Sequence, residues 1–363
     1  MSQSQNFQCK TVIFGKGIGE SIVIQLAENE WMIIDSCLNN QMKPAALEYL
    51  SEKGVDIGSQ VKLIVISHFH DDHIKGMHEI IKQCKTAKVV ISAALNTKEF
   101  ESYINALSVN GEEMAKTKEI KNVMSLLPTL LGKKQLIIAK RDCTLYRSKD
   151  NLEVKSLSPS DNDISRSILD FTNWLKYSEN ANGVTCSARL INPNHYCVVT
   201  RVFSQTSGND EILLGADLET SAHSGWDDVC DAIDSPRPNK VGLFKLPHHG
   251  SQTGFHQRTW DELIRSKPIS ILTTYDRSSL PREDMIEKYK NHSASVYCTS
   301  KPKSHQQSKK DETRIPSDAL KMLTKLNSTV QISRSLGKFG YITVENCLTS
   351  NPNVKLHHAA LAL

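Results

Sequence analysis

Residues 65–76 read VISHFHDDHIKG and place three histidines and two aspartates within six consecutive positions. The cluster follows the apolar run KLIVIS, which is typical of a strand that is covered on both faces. In extended backbone, residues two apart point to the same side, so His68 and His70 leave the strand end together. Asp72 and His73 follow where the chain turns. The pattern predicts a cluster of polar side chains at the end of a buried strand.

The residue types in this cluster indicate metal binding. Imidazole and carboxylate groups together suit divalent zinc, manganese, iron or nickel. A two-metal site needs its ions about 3.5–4 Å apart, and two adjacent pairs of ligands can supply that separation. An exposed polar turn is the weaker interpretation, because composition alone would place H-x-H-x-D-H in a chain of this length about once in a thousand cases.

Two downstream stretches have the same form, an apolar run that ends in residues able to bind metal. EILLGADLE brings Asp217 after a turn of small residues, and a carboxylate there could bridge two metals. VGLFKLPHHGSQTG delivers His248 and His249 from a strand end into a loop that contains glycine. Either stretch alone could be an ordinary loop, but beside the first cluster both are predicted to complete one site. GKGIGES imitates a dinucleotide-binding motif, yet it precedes a strand and not a helix, so no dinucleotide site is predicted.

Length and composition indicate an ordinary globular protein. The chain has 363 residues, of which 39% are hydrophobic and 23% charged, and its formal net charge is +4. That charge permits an acidic partner such as nucleic acid without requiring one. Nine cysteines without a C-x-x-C pair fit reduced thiols better than disulfides or a zinc knuckle. No long apolar stretch and no signal-like N-terminus are present, so we expect no membrane span and a cytoplasmic location.

Short β-rich runs alternate with amphipathic helical windows, which favours a mixed α/β fold. Residues 96–132 lack strand patterning and have helical spacing, so they are expected to form a helical insertion. Residues 301–314 (KPKSHQQSKKDETR) are basic and of low complexity; a solvated surface loop is one interpretation and a phosphate-contacting loop is the other. Residues 348–363 are expected to form a loose C-terminal tail.

Local signals predict two helix ends. Gly54 is expected to end a helix over residues 42–53 in a left-handed cap. Ser160 is expected to cap the helix that runs through ISRSILDFTNWLKY, because a serine oxygen can accept a backbone N–H of the first turn.

The motifs H-x-H-x-D-H, G-x-D-L-E and L-P-H-H-G-S, in that order, resemble the metallo-β-lactamase-fold hydrolase superfamily. Within it, the resemblance is to the branch that contains the nuclease domain of competence-type DNA-uptake channels (ComEC-like). IFGKGIGESIVI and WMIIDSCL are similar to the first strand pair and the "IDxG" strand of that fold, with Asp35-Ser36-Cys37 as a minor departure. The resemblance covers residues 10–346. It implies an α/β fold, an αββα sandwich of two mixed β-sheets flanked by helices, in one domain over residues 1–347.

The resemblance also implies a role for each motif residue. The expected metal ligands are His68, His70, Asp72, His73, Asp217 and His249. Two divalent ions, zinc or manganese, would be bound, the first by the H-x-H pair and the second by the D-H pair, with Asp217 as the bridge. His248 would face the phosphate of a substrate or stabilise the leaving oxygen, although which of His248 and His249 binds metal stays open. Asp72 and Asp217 would orient the attacking hydroxide, and Asp71 is placed to help fix an imidazole tautomer.

Two segments depart from the pattern of that branch. Many superfamily members have a further histidine ligand before the aspartate strand, and this branch commonly has Asn-x-x-Ser there, where Asn194 and Cys197 stand. His195 could reach into the site or lie on the surface. In DRSSLPREDMIEKY, Leu280 and Arg282 stand where the branch usually carries histidines. Arg282 could contact a phosphate or begin a helix at the surface.

The first functional hypothesis is a metal-dependent phosphodiesterase, specifically a nuclease that cleaves DNA or RNA by attack of a metal-bound hydroxide. The alternative is a hydrolase of a small ester or phosphodiester, such as a cyclic nucleotide, a phosphocholine-type diester or a thioester, because the fold hosts all of these. A binding module without catalysis is disfavoured, since six potential ligands are present. The DNA-uptake channels are membrane proteins, so this chain would be a free-standing relative, with protein partners unknown.

Overall fold

Two eight-stranded mixed sheets and one two-stranded sheet make up the β-structure. The computed structural model describes residues 7–107, 114–180, 193–204, 209–221, 224–231, 239–305 and 339–363. The strands are β1 (Lys10–Gly15), β2 (Glu20–Ala27), β3 (Glu30–Ile34), β4 (Val61–Val65), β5 (Lys88–Ser92), β6 (Leu136–Ala139), β7 (Cys143–Arg147), β8 (Leu152–Ser156), β9 (Thr200–Ser204), β10 (Glu211–Leu214), β11 (Thr220–Ser221), β12 (Ser224–Gly225), β13 (Val241–Lys245), β14 (Ile264–Leu272), β15 (Ser295–Cys298), β16 (Gly340–Glu345), β17 (Asn353–His358) and β18 (Leu361–Ala362).

Each large sheet contains a run of parallel strands. The first sheet has the order β17-β16-β1-β2-β3-β4-β5-β6 and is parallel from β3 to β6. The second has the order β18-β15-β14-β13-β10-β9-β8-β7 and is parallel from β10 through β13 and β14 to β15. The carboxyl ends of parallel strands meet at one edge of a sheet, so the residues that follow these strands can converge.

Helices cover the outer faces of both sheets. They are α1 (Ala45–Glu52), α2 (Ile57–Gln60), α3 (Asp71–Ile74), α4 (Met77–Gln83), α5 (Lys98–Leu107), α6 (Met114–Met124), α7 (Leu127–Gly132), α8 (Asp161–Asn180), α9 (Trp226–Asp231), α10 (Gln257–Glu262) and α11 (Glu283–His292). One apolar cluster joins the first sheet to α1 and α4–α8, and another joins the second sheet to α9–α11. A third lies between the sheets. The layers are therefore αββα, as expected. No helix among the described residues is long and apolar enough to cross a membrane.

Strand β4 is buried on both faces, which its apolar sequence predicted. Leu63 and Val65 pack in the core between the two sheets. Ile64 and Ile66 pack in the cluster beneath the helices. Burying each such side chain contributes about 1.5–3 kcal/mol, so the strand is held from both sides. The histidine and aspartate cluster starts from this fixed strand end.

Both predicted helix ends are confirmed. Gly54 follows α1 with a positive φ of 71°, a conformation that glycine adopts without steric cost. Ser160 caps α8: the Asp163 N–H donates to the Ser160 Oγ at 3.0 Å. In return, the Ser160 N–H donates to the Asp163 carboxylate at 2.9 Å. This reciprocal pair satisfies two backbone N–H groups at the start of the helix, those of Ser160 and Asp163.

The helical insertion is confirmed, since α5, α6 and α7 lie within residues 96–132. The loose C-terminal tail is wrong. Residues 353–358 pair antiparallel with β16 at the edge of the first sheet, and residues 361–362 pair with β15 in the second. These strands were missed because NVKLHH lies on an exposed sheet edge and its only apolar residues are Val354 and Leu356, too few to distinguish a strand from a tail. Of the basic stretch 301–314, residues 306–314 lie outside the described residues, as do the predicted strands SARLI and TVQISRS.

Candidate metal centre

The carboxyl ends of five parallel strands converge on one site. Strands β3 and β4 of the first sheet lead to Asp35 and His68, and β10 and β13 of the second lead to Asp217 and His249. Thr273 directly follows β14. The two sheets are joined beside the site by the backbone of residue 198, whose N–H donates to the carbonyl of residue 67 at 2.9 Å. The site therefore lies where both sheets end, and neither sheet could build it alone.

A first ligand group consists of His68, His70 and Asp217, whose ligand atoms lie within 4.8 Å of one another. The His68 Nε2 and the His70 Nδ1 are 3.0 Å apart. His68 and Asp217 are buried, whereas His70 is half-buried. The prediction that the H-x-H pair leaves the strand on one side is confirmed.

A second ligand group consists of Asp72, His73, Asp217 and His249, all of them buried and again within 4.8 Å of one another. The His73 Nε2 lies 3.2 Å from the Asp217 Oδ1 and 3.7 Å from the Asp72 Oδ2. The His249 Nε2 lies 3.2 Å from the Asp72 Oδ2 and 3.8 Å from the Asp217 Oδ2. Asp217 belongs to both groups, so the structure brings together all six residues that the sequence singled out as ligands.

Two buried atoms in this site have no hydrogen-bond partner. They are the His73 Nε2 and the Asp217 Oδ1, which face each other at 3.2 Å without hydrogen-bonding geometry. Leaving buried polar atoms unpaired costs about 1–3 kcal/mol each, so such atoms call for an explanation. A divalent cation between them would satisfy both lone pairs. The second ligand group, which contains both atoms, offers two imidazoles and two carboxylates, a donor set that fits such an ion.

Hydrogen bonds from behind fix which nitrogen of each ring faces the site. The His73 Nδ1 contacts the Asp35 carboxylate at 2.7 Å, so the Nδ1–H donates and Nε2 is the nitrogen that points into the site. The Ser67 hydroxyl donates to Asp35 at 2.6 Å and must therefore accept from the His68 Nδ1–H at 2.9 Å. The sequence pointed to Asp71 as a residue that helps to fix an imidazole tautomer. In the structure, Asp35 is hydrogen-bonded to the His73 ring, and Ser67, itself bonded to Asp35, is hydrogen-bonded to the His68 ring.

Burial and mutual charge set the protonation of the ligands. Burial, reinforced by the neighbouring imidazoles, lowers the pKa of His68 well below its usual value, and burial lowers that of His70. Burial alone would raise the pKa of Asp72 and Asp217, but the adjacent His73 and His249 lower both. At neutral pH the first histidine pair is thus neutral and the two carboxylates are ionised, which are the forms that bind a cation. Burial alone would lower the pKa of His73, but the Asp217, Asp72 and Asp35 carboxylates raise it well above its usual value, so a cation at its Nε2 would displace a proton.

The backbone around the site is strained. Four of its residues other than glycine have positive φ: Asp35 (55°), Ala216 (45°), His248 (46°) and His249 (53°). Each costs energy for a residue with a Cβ, and such residues persist where the surrounding structure forces them. The two histidines are consecutive, so the strain turns their side chains in different directions.

His248 lies beside the ligand groups and belongs to neither of them among the described residues. Its Nδ1 is 3.1 Å from Glu219, and its Nε2 is 3.3 Å from the Asn194 amide, which also donates to Glu219 at 2.8 Å. Burial lowers the pKa of His248. The geometry thus separates the two histidines whose roles the sequence left open: His249 points to the ligands, and His248 points to Glu219.

Other residues that the sequence raised lie outside both groups. Neither His195 nor Cys197 contributes an atom to a potential metal-binding group of the described residues. His195 is half-buried. Burial raises the pKa of the Cys197 thiol well above its usual value, which keeps it protonated. Arg282 is exposed and occupies the residue before α11, which matches the surface alternative.

Several residues around the site were not predicted. Glu20, Lys245 and Thr273 are buried behind His249, and Tyr275 stacks on its ring with centroids 5.1 Å apart. One signal was present in the sequence, a lone lysine inside the otherwise apolar strand VGLFK. A lysine is almost never fully buried unless it is paired, so that position pointed to a buried partner.

The protein is thus an αββα sandwich with a candidate metal centre at the ends of both sheets, an arrangement typical of metal-dependent hydrolases. A family model described as the metallo-beta-lactamase superfamily matches residues 14–268. This match spans well over half of the chain, so the protein belongs to the metallo-beta-lactamase superfamily.

Similar solved structures include a HARLDQ-motif mutant of a metallo-beta-lactamase from Cronobacter sakazakii, with 12% identity over 64% of this chain and 74% of that chain and a TM-score of 0.35. Another is a subclass B3 metallo-beta-lactamase isolated from a soil metagenome library, with 13% identity over 66% of this chain and 78% of that chain and a TM-score of 0.35. No curated protein matches the chain.

Proposed function

We propose that the protein is a metal-dependent phosphodiesterase that holds two divalent cations, zinc or manganese, in its two ligand groups. The observation that carries the proposal is Asp217, which belongs to both groups. A carboxylate shared by two ligand sets suits two cations about 3.5–4 Å apart. Such cations supply a Lewis acid for a phosphoryl oxygen and activate a water near neutral pH.

The chain's own residues divide the remaining tasks. The proposed ligands are His68 and His70 for one cation, Asp72, His73 and His249 for the other, and Asp217 for both. We assign to His248 the contact with the substrate's phosphate or with its leaving oxygen. The Glu219 carboxylate lies 3.1 Å from the His248 Nδ1, where its charge would stabilise positive charge on the ring. The Ser251 and Thr253 hydroxyls are hydrogen-bonded to the same nitrogen and orient the ring.

Positive side chains beside the second ligand group support a nucleic-acid substrate. Tyr275, stacked on His249, is hydrogen-bonded by Arg277. Lys303 donates to the backbone carbonyl of the residue between these two. Lys16 lies in the β1–β2 turn, and a backbone hydrogen bond of 2.7 Å joins that turn to the same segment. We define Lys16, Arg277 and Lys303 as the basic rim. Phosphates of a bound DNA or RNA strand would contact this basic rim beside the cations.

The motif order points the same way. Within the superfamily, the resemblance of the H-x-H-x-D-H, G-x-D-L-E and L-P-H-H-G-S motifs is to the ComEC-like nuclease branch. We therefore favour a nuclease over a hydrolase of small esters, cyclic nucleotides or phosphocholine-type diesters.

The test is cleavage of labelled single- and double-stranded DNA and RNA with added Mn²⁺, with bis-p-nitrophenyl phosphate assayed in parallel and the Asp72→Ala protein as the blank. We expect cleavage of at least one polymer and its loss in the variant. If only the small diester were hydrolysed, the protein would be a phosphodiesterase but not a nuclease. Absence of any hydrolysis by metal-loaded protein would reject the phosphodiesterase.

A double variant of the basic rim separates polymer binding from chemistry. Lys16→Ala/Arg277→Ala should raise KM for the polymer about tenfold and lower the salt dependence of binding by about one unit per lost phosphate contact. Its rate on bis-p-nitrophenyl phosphate should stay within about twofold. The matched control is Lys85→Ala/Lys88→Ala, which removes two exposed charges at the amino end of β5, away from the site. Equal effects of the two double variants would count against the rim.

A further inference from the structure

A buried ion pair lies directly behind the second ligand group. Lys245, the last residue of β13, is fully buried, and Glu20, the first residue of β2, is 1% exposed. The Lys245 Nζ is in contact with the Glu20 Oε2. Burying two charges is costly even when they pair, so a buried pair is weak evidence for stability and invites a functional explanation.

Thr273 connects this ion pair to His249. The Thr273 hydroxyl donates to the Glu20 Oε2 at 2.7 Å. A hydroxyl has one proton, so toward the His249 Nδ1, 2.8 Å away, Thr273 can only accept. The proton of the neutral imidazole is therefore on Nδ1. Nε2 lies 3.2 Å from the Asp72 Oδ2, and with Nδ1 protonated it is the nitrogen that would bind a cation.

Lys245 holds the acceptor end of this chain of hydrogen bonds in place. Its Nζ contacts the same Glu20 oxygen, Oε2, that accepts the Thr273 hydroxyl. With that carboxylate fixed, the Thr273 hydroxyl points away from His249 and offers the ring only an acceptor, which keeps Nε2 toward the ligand site.

Lys245 also contacts the turn that carries Asp217. Its Nζ donates to the carbonyl of Ala216 at 3.4 Å. The same carbonyl accepts the His248 N–H at 2.9 Å. Ala216 has a φ of 45° and immediately precedes Asp217. One ammonium is thus linked to the supports of both His249 and Asp217.

Glu20 is close enough to the site to be mistaken for a ligand. One of its oxygens lies within 4.8 Å of ligand atoms of Asp35 and His73. Its carboxylate, however, already faces Lys245 and Thr273, and Asp35 already accepts from His73. Glu20 therefore acts through other residues and not as a third cation site.

We infer that Glu20, Thr273 and Lys245 are positioning residues that set the affinity of the second ligand group for its cation, and that Glu20 and Thr273, which act through His249, leave the first group unaffected. This inference rests on the proposed two-cation function. None of the three contacts His68 or His70 through the hydrogen bonds described above, since His68 is held by Ser67 instead. The prediction is therefore selective between two sites a few ångströms apart.

The key variant is Thr273→Val, which keeps the shape of the side chain and removes the hydroxyl. The matched control is Thr274→Val: Thr274 is equally buried, and its hydroxyl is bonded to Ser300, not to the site. Binding of Mn²⁺ and Zn²⁺ is measured by equilibrium dialysis against a competing chelator, with no substrate present. We expect Thr273→Val to weaken one of the two cations by about 10–100-fold and Thr274→Val to weaken neither.

Two backgrounds identify which cation is affected. In His70→Ala protein only the second ligand group is complete, and Thr273→Val should weaken the remaining cation by the same 10–100-fold factor. In Asp72→Ala protein only the first group remains, and Thr273→Val should leave its cation unchanged. Equal weakening in both backgrounds, or weakening in neither, would overturn the inference.

A variant of the ion pair tests Lys245 and controls for folding. Glu20→Gln/Lys245→Met removes both charges together, which avoids leaving one buried charge unpaired. We expect the larger loss of affinity at the second cation and a smaller one at the first, because Lys245 also contacts the turn that carries the shared Asp217. A cooperative thermal transition should be retained in metal-free protein. Wild-type affinity for both cations in this variant would reject the role of the pair. If wild-type protein bound no cation at all, the proposed function itself would fail, which dialysis of the unmodified protein decides first.

Discussion

The two ligand groups differ in how completely the protein surrounds them. The second group has four buried side chains, and its imidazoles are held from behind by Asp35 and Thr273. The first has only two histidines besides the shared Asp217, and His70 is half-buried. In the segment where the resemblance would place a further histidine ligand, this chain has Asn194, whose amide is bonded to Glu219.

This difference suggests a division of labour within one site. A cation with four protein ligands is saturated and held tightly, whereas a cation with three keeps an open position for water or substrate. We therefore expect the second group to hold its cation more tightly than the first. Four predictions test this comparison, beginning with the change that should affect both groups.

Asp217→Asn should produce the largest effect, because Asp217 is the carboxylate that both groups share. The amide keeps the shape but loses the charge that offsets two cations. We expect hydrolysis to fall on the order of 10³-fold and neither cation to survive dialysis. Elemental analysis and initial rates measure both effects. If the Asp217→Asn protein kept both cations and full turnover, Asp217 would not be the carboxylate that the two groups share.

Asp72→Ala and His68→Ala should remove one cation each, and not the same one. Asp72→Ala should abolish hydrolysis and lose the tighter cation, while His68→Ala should lose the weaker one. The fold should survive Asp72→Ala: in chelator the thermal transition should stay cooperative, at a lower melting temperature because His73 and His249 lose a carboxylate partner. Competition with a chelator ranks the two cations. If both variants lost the cation of the same affinity, the two groups would not be distinct.

Asn194→His should strengthen the first group. A histidine there would occupy the place of the further ligand of many relatives, and we expect the weaker cation to bind roughly tenfold more tightly, about 1.4 kcal/mol. The substitution also removes the Asn194 amide from Glu219 and His248. Turnover should therefore fall even as affinity rises. Unchanged affinity would mean that Asn194 serves His248 alone and that the first group is completed by other means.

His195→Ala should have the smallest effect. His195 is outside both groups, and its Nδ1 is buried without a hydrogen-bond partner. Both cations should bind within about twofold of the wild-type affinity, and activity should follow. A loss of the weaker cation alone would show that His195 swings into the first group when metal is present.

The sequence predicted much of the site because its motifs are local. His68, His70, Asp72 and His73 lie within six positions, and one strand end fixes where they start. The two further ligand stretches each follow an apolar run, so their side chains were expected at strand ends. All six proposed ligands are brought together by the structure; that they bind metal stays a prediction.

The supports behind the ligands could not be predicted in the same way. Thr273 and Glu20 are 253 positions apart in the chain, and no local pattern links them. The C-terminal strands were missed for a related reason. An exposed edge strand needs no apolar alternation when a neighbouring strand supplies its hydrogen bonds, as β16 does for residues 353–358.

By itself the sequence determined which residues could bind metal and which strands present them, because residue chemistry and side-chain alternation are properties of short segments. Only the tertiary structure decided which of two adjacent histidines faces the ligands. His248 and His249 both have left-handed backbone, and the packing of the second sheet turns one ring to Asp72 and the other to Glu219. The same packing decided how the rings of His68, His73 and His249 are turned, since the Nδ1 of each is hydrogen-bonded behind the site, to Ser67, Asp35 and Thr273 respectively.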